Sequence, residues 1–167
     1  SYNNANMVFS FIDDFEDADI SDWVVDTAWS VSSAVVHSGS YSIKKNDASS
    51  TTQYDAYHSL GFSYEVVWEG YIYIESTSNS QNSFSLQNET GDDLGRVWFG
   101  AGNVQNIFYV DDTGQQDTGV AFNTGVWYKF KIIYKSTSWD FYVYNPDGSL
   151  LVSRTGLSLI NSWTSIS

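Results

Sequence analysis

Six carboxylates lie between residues 13 and 22, and they form the densest group of side chains in the sequence that could do chemistry. They are Asp13, Asp14, Glu16, Asp17, Asp19 and Asp22. Calcium takes carboxylate and carbonyl oxygens as ligands, so this acidic segment is the best metal candidate, although it lacks the spacing of an EF-hand loop. The alternative is a solvated acidic loop in which Asp17 or Asp19 supports turns.

Two glutamates, Glu65 and Glu69, lie four residues apart on one face of a predicted strand. A retaining glycosidase places its two catalytic carboxyl groups about 5 Å apart, but two glutamates at this spacing are also common by chance. The two histidines, His37 and His58, belong to no Ser/His/Asp or metal-ligand pattern. The sequence therefore contains no complete catalytic site, and we expect a protein that is not an enzyme.

A third group of side chains combines aromatic rings with charged residues on the outward faces of predicted strands. Flat rings stack on the apolar faces of sugars while neighbouring polar groups hydrogen-bond the hydroxyls, and clustered exposed rings indicate a function. The alternative is that the rings pack under loops or form cross-strand ladders that only stabilise the fold. The sequence predicts a sugar-binding site formed by Arg96, Trp98, Tyr109, Tyr71, Tyr73 and Glu69.

These side chains must be positioned by β-strands, because apolar residues alternate with period two and no long stretch keeps helical spacing. Val, Ile, Phe, Tyr and Trp dominate the apolar residues, which suits a pleated surface. Many short strands separated by Gly, Asn, Asp and Ser turns predict an all-β sandwich or barrel. One such turn, at residues 38–40, separates the apolar runs 34–37 and 41–44 and indicates a hairpin.

Alternation also predicts which side chains of each strand face the core. The inward set is Trp68, Ile72, Ile74, Val97, Phe99, Tyr128, Phe130, Ile132, Tyr134, Phe141 and Val143. The outward set is Glu69, Tyr71, Tyr73, Glu75, Arg96, Trp98, Trp127, Lys129, Lys131, Tyr142 and Tyr144. Several strands therefore carry aromatic and charged residues together on the side away from the core.

The net charge of −13, from 20 acidic and 7 basic residues, limits the partners. Nucleic-acid phosphates need clustered Lys and Arg, and anionic membrane surfaces are disfavoured for the same reason. No apolar run approaches the roughly 18 residues that a membrane span needs. We therefore expect neither nucleic-acid binding nor membrane insertion, and the Ser-, Thr- and Asn-rich, lysine-poor composition favours a location outside the cell.

Three segments resemble those of one family of domains. Residues 11–23, FIDDFEDADISDW, match a D-D-F-E-D-G-D-x-S-x-W opening, with Ala18 in place of the usual glycine. Residues 37–44, HSGSYSIK, are similar to an H-S-G-S-x-S-L strand, and residues 124–130, TGVWYKF, to the start of a T-x-x-W-Y hairpin. The sequence resembles concanavalin A-like, laminin-G-like domains of microbial surface proteins and glycan-binding modules over about residues 13–152.

The resemblance implies a jelly-roll β-sandwich of two antiparallel sheets. It also implies a structural calcium ion, bound by Glu16, by an aspartate among Asp14, Asp17 and Asp19, and by carbonyl oxygens of the turn around Gly39. Family members commonly close with an acidic strand that completes this site, whereas the present sequence stops at residues 165–167 without one. The resemblance therefore implies that this strand is either truncated or supplied by a neighbour.

Hydrolases of the same fold carry an E-x-D-x-E strand. Here Glu65 and Glu69 match its two glutamates, but Val67 stands in place of the middle carboxylate, so the triplet is incomplete. The segment at residues 2–9 resembles the junction that precedes such domains in large exported proteins of archaea and bacteria. We therefore expect one domain over residues 1–167, with residues 1–10 as a linker or an extra strand from an upstream domain.

These observations predict a non-catalytic, calcium-stabilised carbohydrate-binding module of a secreted or cell-surface protein, with a polysaccharide or glycan as its partner. One alternative is a structural or adhesive subunit of a surface filament or layer, in which an apolar strand at residues 7–12 is exchanged between subunits. Such a subunit would associate with itself or with further domains of its parent protein. The other alternative is a divergent glycoside hydrolase or lyase.

Overall fold

A computed structural model describes residues 11–46, 55–59, 65–75, 82–100 and 104–162. Within these ranges the regular elements are β-strands without any helix, and every strand pairing is antiparallel. The all-β prediction is thus confirmed, and the described ranges hold no helix that could cross a membrane. The chain divides into two compact units, Ser1–Leu60 and Gly61–Ser167. The expectation of one domain over the whole chain stays a prediction.

The described part of the first unit contains two short antiparallel ribbons. Strand β1 (Val24–Val25) pairs with β4 (Ala56–Tyr57), and β2 (Trp29–Ser32) pairs with β3 (Ser42–Lys45). The predicted strand at residues 34–37 is wrong, since these residues form bends and irregular backbone. β3 pairs instead with β2, so the connection of this hairpin runs over residues 33–41. Ser40 and Tyr41 donate their backbone N–H groups to the Glu16 carboxylate, which holds the end of this long connection.

The second unit contains eight strands within the described ranges. They are β5 (Val66–Tyr73), β6 (Asn82–Gln87), β7 (Asp93–Phe99), β8 (Asn106–Asp111), β9 (Gly114–Ala121), β10 (Trp127–Tyr134), β11 (Ser138–Tyr144) and β12 (Leu150–Ser158). One sheet has the strand order β12-β11-β10-β5. The other has the order β6-β7-β8-β9, in which each strand pairs with the next along the chain.

The two sheets of the second unit pack face to face around one hydrophobic core, which gives this unit the architecture of a β-sandwich. Phe84 of β6 stacks on Phe130 of β10 with ring centroids 4.1 Å apart. The buried Tyr134 hydroxyl donates to the Gly95 carbonyl oxygen at 2.6 Å, so this polar atom is satisfied inside the core. Side chains and a hydrogen bond therefore join the two sheets.

The predicted inward set is confirmed. Its buried members in the core are Ile74, Val97, Phe99, Tyr128, Phe130, Ile132, Tyr134, Phe141 and Val143, and Trp68 and Ile72 pack against them. Burial alternates strictly along β10, where each core residue is followed or preceded by a partly exposed one. This alternation follows from the pleat, because successive side chains of a strand point to opposite sides of the sheet.

Candidate functional site

The outward side of the sheet β12-β11-β10-β5 gathers aromatic and charged side chains from three strands. In the middle of β10, Lys129 lies directly across from Tyr71 of β5 and from Tyr144 of β11. Lys131, two residues further along, lies across from Glu69 and Tyr142. We call this surface the aromatic face, and its residues are Glu69, Tyr71, Tyr73, Trp127, Lys129, Lys131, Tyr142 and Tyr144.

The rings of the aromatic face lie on both sides of the two lysines. On one side, the centroids of Tyr73 and Trp127 are 5.5 Å apart. On the other side, Tyr142 and Tyr144 are nearly parallel, with centroids 6.5 Å apart and an interplanar angle of 17°. Tyr71 is 49% exposed to solvent. The tyrosine rings therefore follow two strands that flank the central strand β10, and they are accessible from solvent.

Glu69 binds both lysines of the aromatic face. Its two carboxylate oxygens lie 2.9 Å from the Lys129 ammonium and 3.0 Å from the Lys131 ammonium. The hydrogen bond from Lys129, with a further one from Lys131, holds the pKa of Glu69 below its usual value. A catalytic acid needs the opposite shift, since it must keep its proton near neutral pH. The geometry of Glu69 therefore suits a charge-paired surface better than acid catalysis.

The six predicted ligand residues do not form one site. Glu69, Tyr71 and Tyr73 lie together on the aromatic face, as expected. Arg96 lies on β7 in the other sheet of the sandwich, where its guanidinium is 3.6 Å from the Asp93 carboxylate. Trp98 and Tyr109 also belong to that other sheet. The prediction of a single surface made of all six residues is therefore wrong, because it combined strands that are not neighbours.

Among these residues, Trp98 differs most from its predicted role as an exposed stacking ring. Alternation correctly places it on the side of β7 opposite to Val97 and Phe99, but its side chain is only 7% exposed. Phe108 lies directly across from it in the register of β7 and β8, and the two rings stack with centroids 4.5 Å apart. The indole N–H is buried and has no hydrogen-bond partner among the described residues. A ring in this position cannot serve as an open stacking surface for a sugar.

Tyr109 faces the interior of the sandwich. It lies across from Val97 in the register, and antiparallel partners that face each other point to the same side of the sheet. Its ring centroid is 5.6 Å from that of Phe141 in the facing sheet. The prediction that Tyr109 contacts a ligand together with Trp98 is wrong, since these two residues point to opposite sides of their sheet.

In the first unit, Glu16 of the acidic segment joins that segment to the turn around Gly39. Its carboxylate accepts the backbone N–H groups of Ser40 at 2.7 Å and of Tyr41 at 3.0 Å. These bonds, the one from Ser40 most of all, hold the pKa of Glu16 below its usual value. Gly39 has a φ of +72°, and a Cβ at this position would overlap the Glu16 carboxylate. The positive φ therefore favours glycine here, and a side chain at this position would also displace the Glu16 carboxylate.

The aspartates of the acidic segment accept hydrogen bonds from neighbouring N–H groups. Asp13 accepts the Phe15 N–H at 2.8 Å and the Trp23 indole N–H at 2.6 Å. Asp14 accepts the Glu16 N–H at 3.2 Å, and Asp17 accepts the Asp19 N–H at 3.0 Å. They support local turns, the alternative that the sequence left open.

Asp19 completes this pattern, since it accepts the Ser21 N–H at 2.9 Å and the Ser21 hydroxyl at 2.7 Å. The described residues contain no group of three or more His, Cys, Asp or Glu arranged to hold a metal ion. The turn around Gly39 directs N–H donors at Glu16, where a calcium site needs carbonyl oxygens. This arrangement does not fit the implied site, and calcium binding stays a prediction.

Five residues of the aromatic face were not among the predicted ligands: Trp127, Lys129, Lys131, Tyr142 and Tyr144. Alternation had placed all five on the outward side of their strands, so the signal for them was present. What the sequence did not contain was the order of strands in the sheet, which makes β10 the neighbour of both β5 and β11.

No family model matches this sequence, and no curated protein or solved structure matches it either. The fold and the site therefore define the chain only as an all-β protein whose second unit is an antiparallel β-sandwich carrying an aromatic and charged outer face.

Proposed function

We propose that the protein is a non-catalytic carbohydrate-binding module of a secreted or cell-surface protein, and that its sandwich is of the jelly-roll, concanavalin A-like type. The observation that carries the proposal is the aromatic face, where rings from β5, β10 and β11 surround a charged centre. A sheet surface of this kind offers a sugar both of the contacts that it needs, namely flat apolar area and hydrogen-bonding groups.

The exposure of Tyr71 supports a role beyond stabilising the sheet. Cross-strand pairs contribute roughly 0.2–1 kcal/mol each to the stability of a sheet. Tyr71, however, keeps about half of its surface in solvent, so much of its apolar area remains available to a partner. Tyrosine also presents a hydroxyl beside its ring, which suits a ligand that combines apolar faces with hydroxyl groups.

The site gives less support to the alternative that the protein is a glycoside hydrolase. Both carboxylate oxygens of Glu69 form ion pairs with lysines, and its lowered pKa keeps it ionised.

The alternative that the protein is a filament subunit depends on a strand at residues 7–12, most of which lies outside the described residues. Phe11, which is described, stacks on His58 with ring centroids 3.7 Å apart.

A glycan array is the direct test of the proposed function. We expect the wild-type protein to bind at least one class of polysaccharide and to release no reducing sugar from it. Heat-denatured protein is the matched control for nonspecific adhesion. Absence of binding across neutral, acidic and amino-sugar glycans would contradict the proposal, and release of reducing sugar would favour the hydrolase instead.

A further inference from the structure

The centre of the aromatic face carries more positive than negative charge. Lys129 and Lys131 share a single carboxylate, that of Glu69, so the three groups sum to one positive charge at neutral pH. Glu65 lies four positions before Glu69, which faces Lys131, and Glu75 lies four positions after Tyr71, which faces Lys129. At the rise of a β-strand each of these separations is roughly 13 Å. Both exceed the Debye length of about 8 Å at physiological ionic strength.

The remaining acid on the outward side of β11 does not offset this charge. Asp140 is buried, and it accepts hydrogen bonds from the Lys135 ammonium at 2.6 Å and from the Gly156 N–H at 2.7 Å. Its charge is thus matched by Lys135. The excess positive charge of the face is therefore confined to the region of Lys129 and Lys131, in a chain whose net charge is −13.

The two lysines are placed so that they can contact a ligand resting on the rings. Each side chain is about one third exposed, at 36% for Lys129 and 31% for Lys131. Neighbouring strands lie about 4.8 Å apart, so each lysine is one strand away from a tyrosine of β11. An ammonium group has three N–H donors, and Glu69 occupies one from each lysine. Donors therefore remain for acceptors on a bound chain.

We propose that the aromatic face binds an anionic polysaccharide, whose rings stack on the tyrosines and whose carboxylate or sulfate groups pair with Lys129 and Lys131. This inference rests on the proposed carbohydrate-binding function and names the ligand class for it. In this arrangement Glu69 competes with the acid groups of the ligand for the same two ammonium groups. It therefore holds the lysine side chains in place while weakening the binding of anions.

The test measures affinity for matched pairs of polysaccharides that differ in charge alone. Polygalacturonate is compared with its fully methyl-esterified form, and dextran sulfate with dextran. We expect the charged member of at least one pair to bind at least about tenfold more tightly, and added salt to reduce this preference, because ion pairs at a surface are screened. The pair that shows the preference identifies carboxylate or sulfate as the acid group.

Three variants of the aromatic face distinguish anion binding by the two lysines from a purely structural role of these residues. Lys129→Met and Lys131→Met should each weaken binding of the charged polysaccharide about three- to tenfold. Glu69→Gln should strengthen it, because the competing carboxylate is removed. Arg96→Met removes a positive charge from the other sheet and should leave the affinity unchanged, so it is the matched control.

The outcomes separate this inference from the function on which it rests. If charged and neutral members bind equally and the lysine variants have no effect, the anionic ligand is wrong while carbohydrate binding stands. If Glu69→Gln weakens binding as much as the lysine variants do, the proposed competition is contradicted. If no polysaccharide binds, the proposed function and this inference fail together.

Discussion

Among the single residues, Glu16 shows how backbone hydrogen bonds hold the acidic segment to the turn around Gly39. Its carboxylate accepts three hydrogen bonds from two backbone N–H groups, those of Ser40 and Tyr41. Because the bonds favour the ionised form, the pKa of Glu16 lies below its ordinary value near 4.5 in the folded protein. The folded state therefore binds fewer protons at Glu16 than the unfolded chain does in mildly acidic solution.

This difference predicts how the contribution of Glu16 to the free energy of unfolding depends on pH. The contribution is fully present above the ordinary pKa near 4.5 and is lost as the pH falls through the lower pKa of the folded state. Glu16→Gln should therefore lower the melting temperature at neutral pH and have a much smaller effect in strong acid. Glu65→Gln, at an exposed glutamate of the second unit, is the control. A Glu16→Gln deficit that is equal at all pH values would contradict this account.

The same melting experiment tests the calcium prediction. The calcium site that the resemblance implies predicts a higher melting temperature in excess calcium than in EDTA. The hydrogen bonds to Glu16 satisfy its carboxylate without a metal, so the described arrangement predicts equal melting temperatures instead. A ligand that binds only the folded state raises stability by mass action. A higher melting temperature in calcium that is abolished by Glu16→Gln would therefore show that the turn rearranges to bind the ion.

Ala18 shows what the sequence did not predict at the scale of a single residue. It has a φ of +59°, in the left-handed region that favours glycine, where the motif has a glycine and this chain carries a Cβ. The sequence alone made this difference a minor one. It did not predict that Glu16 would accept N–H groups, because the direction in which a turn presents its donors and acceptors depends on φ and ψ and not on residue type.

For the strands, alternation predicted the side of each side chain well. The inward set from β5, β7, β10 and β11 is in or against the core, and the outward set of β10 is partly exposed. The pairing of strands was not predictable in this way. Period two fixes the side on which a residue lies, but it carries no information about which strand is its neighbour or about the register between them.

Trp98 illustrates a further limit of the alternation pattern. A residue can lie on the side of its strand away from the core and still be buried, when a large side chain occupies the facing position on the next strand. Phe108 occupies that position and stacks on Trp98. A period-two pattern therefore predicts the direction of a side chain and not its exposure.

The burial of Trp98 leads to a prediction about stability. Trp98→Ala should destabilise the protein by about 3–5 kcal/mol, because it removes a large buried ring and leaves a cavity. Tyr71→Ala, at a half-exposed ring on the aromatic face, should destabilise the protein by no more than about 1 kcal/mol. Chemical denaturation of both variants measures the difference. A Trp98→Ala protein as stable as the wild type would show that the Trp98 ring is solvent-exposed.

For the whole molecule, charge and composition describe the surface only on average. A net charge of −13 predicts a soluble protein that avoids nucleic acid, yet the middle of the aromatic face is positive. Such a local excess arises because β10 places two lysines on one side, and Glu69 is the one acid among the four residues that lie directly across from them on β5 and β11. The sequence contains these residues, but only the assembled sheet brings them together.

The central claim is that the aromatic face binds a glycan, and titration calorimetry of one matched pair of variants tests it most directly. Tyr71 and Tyr57 have similar exposure, at 49% and 51%, but only Tyr71 lies on the aromatic face. With the tightest glycan from the array, Tyr71→Ala should lose about 2 kcal/mol of binding free energy, roughly thirtyfold in affinity. Tyr57→Ala should bind like the wild type. Equal affinities for the two variants, or a loss confined to Tyr57→Ala, would contradict the account.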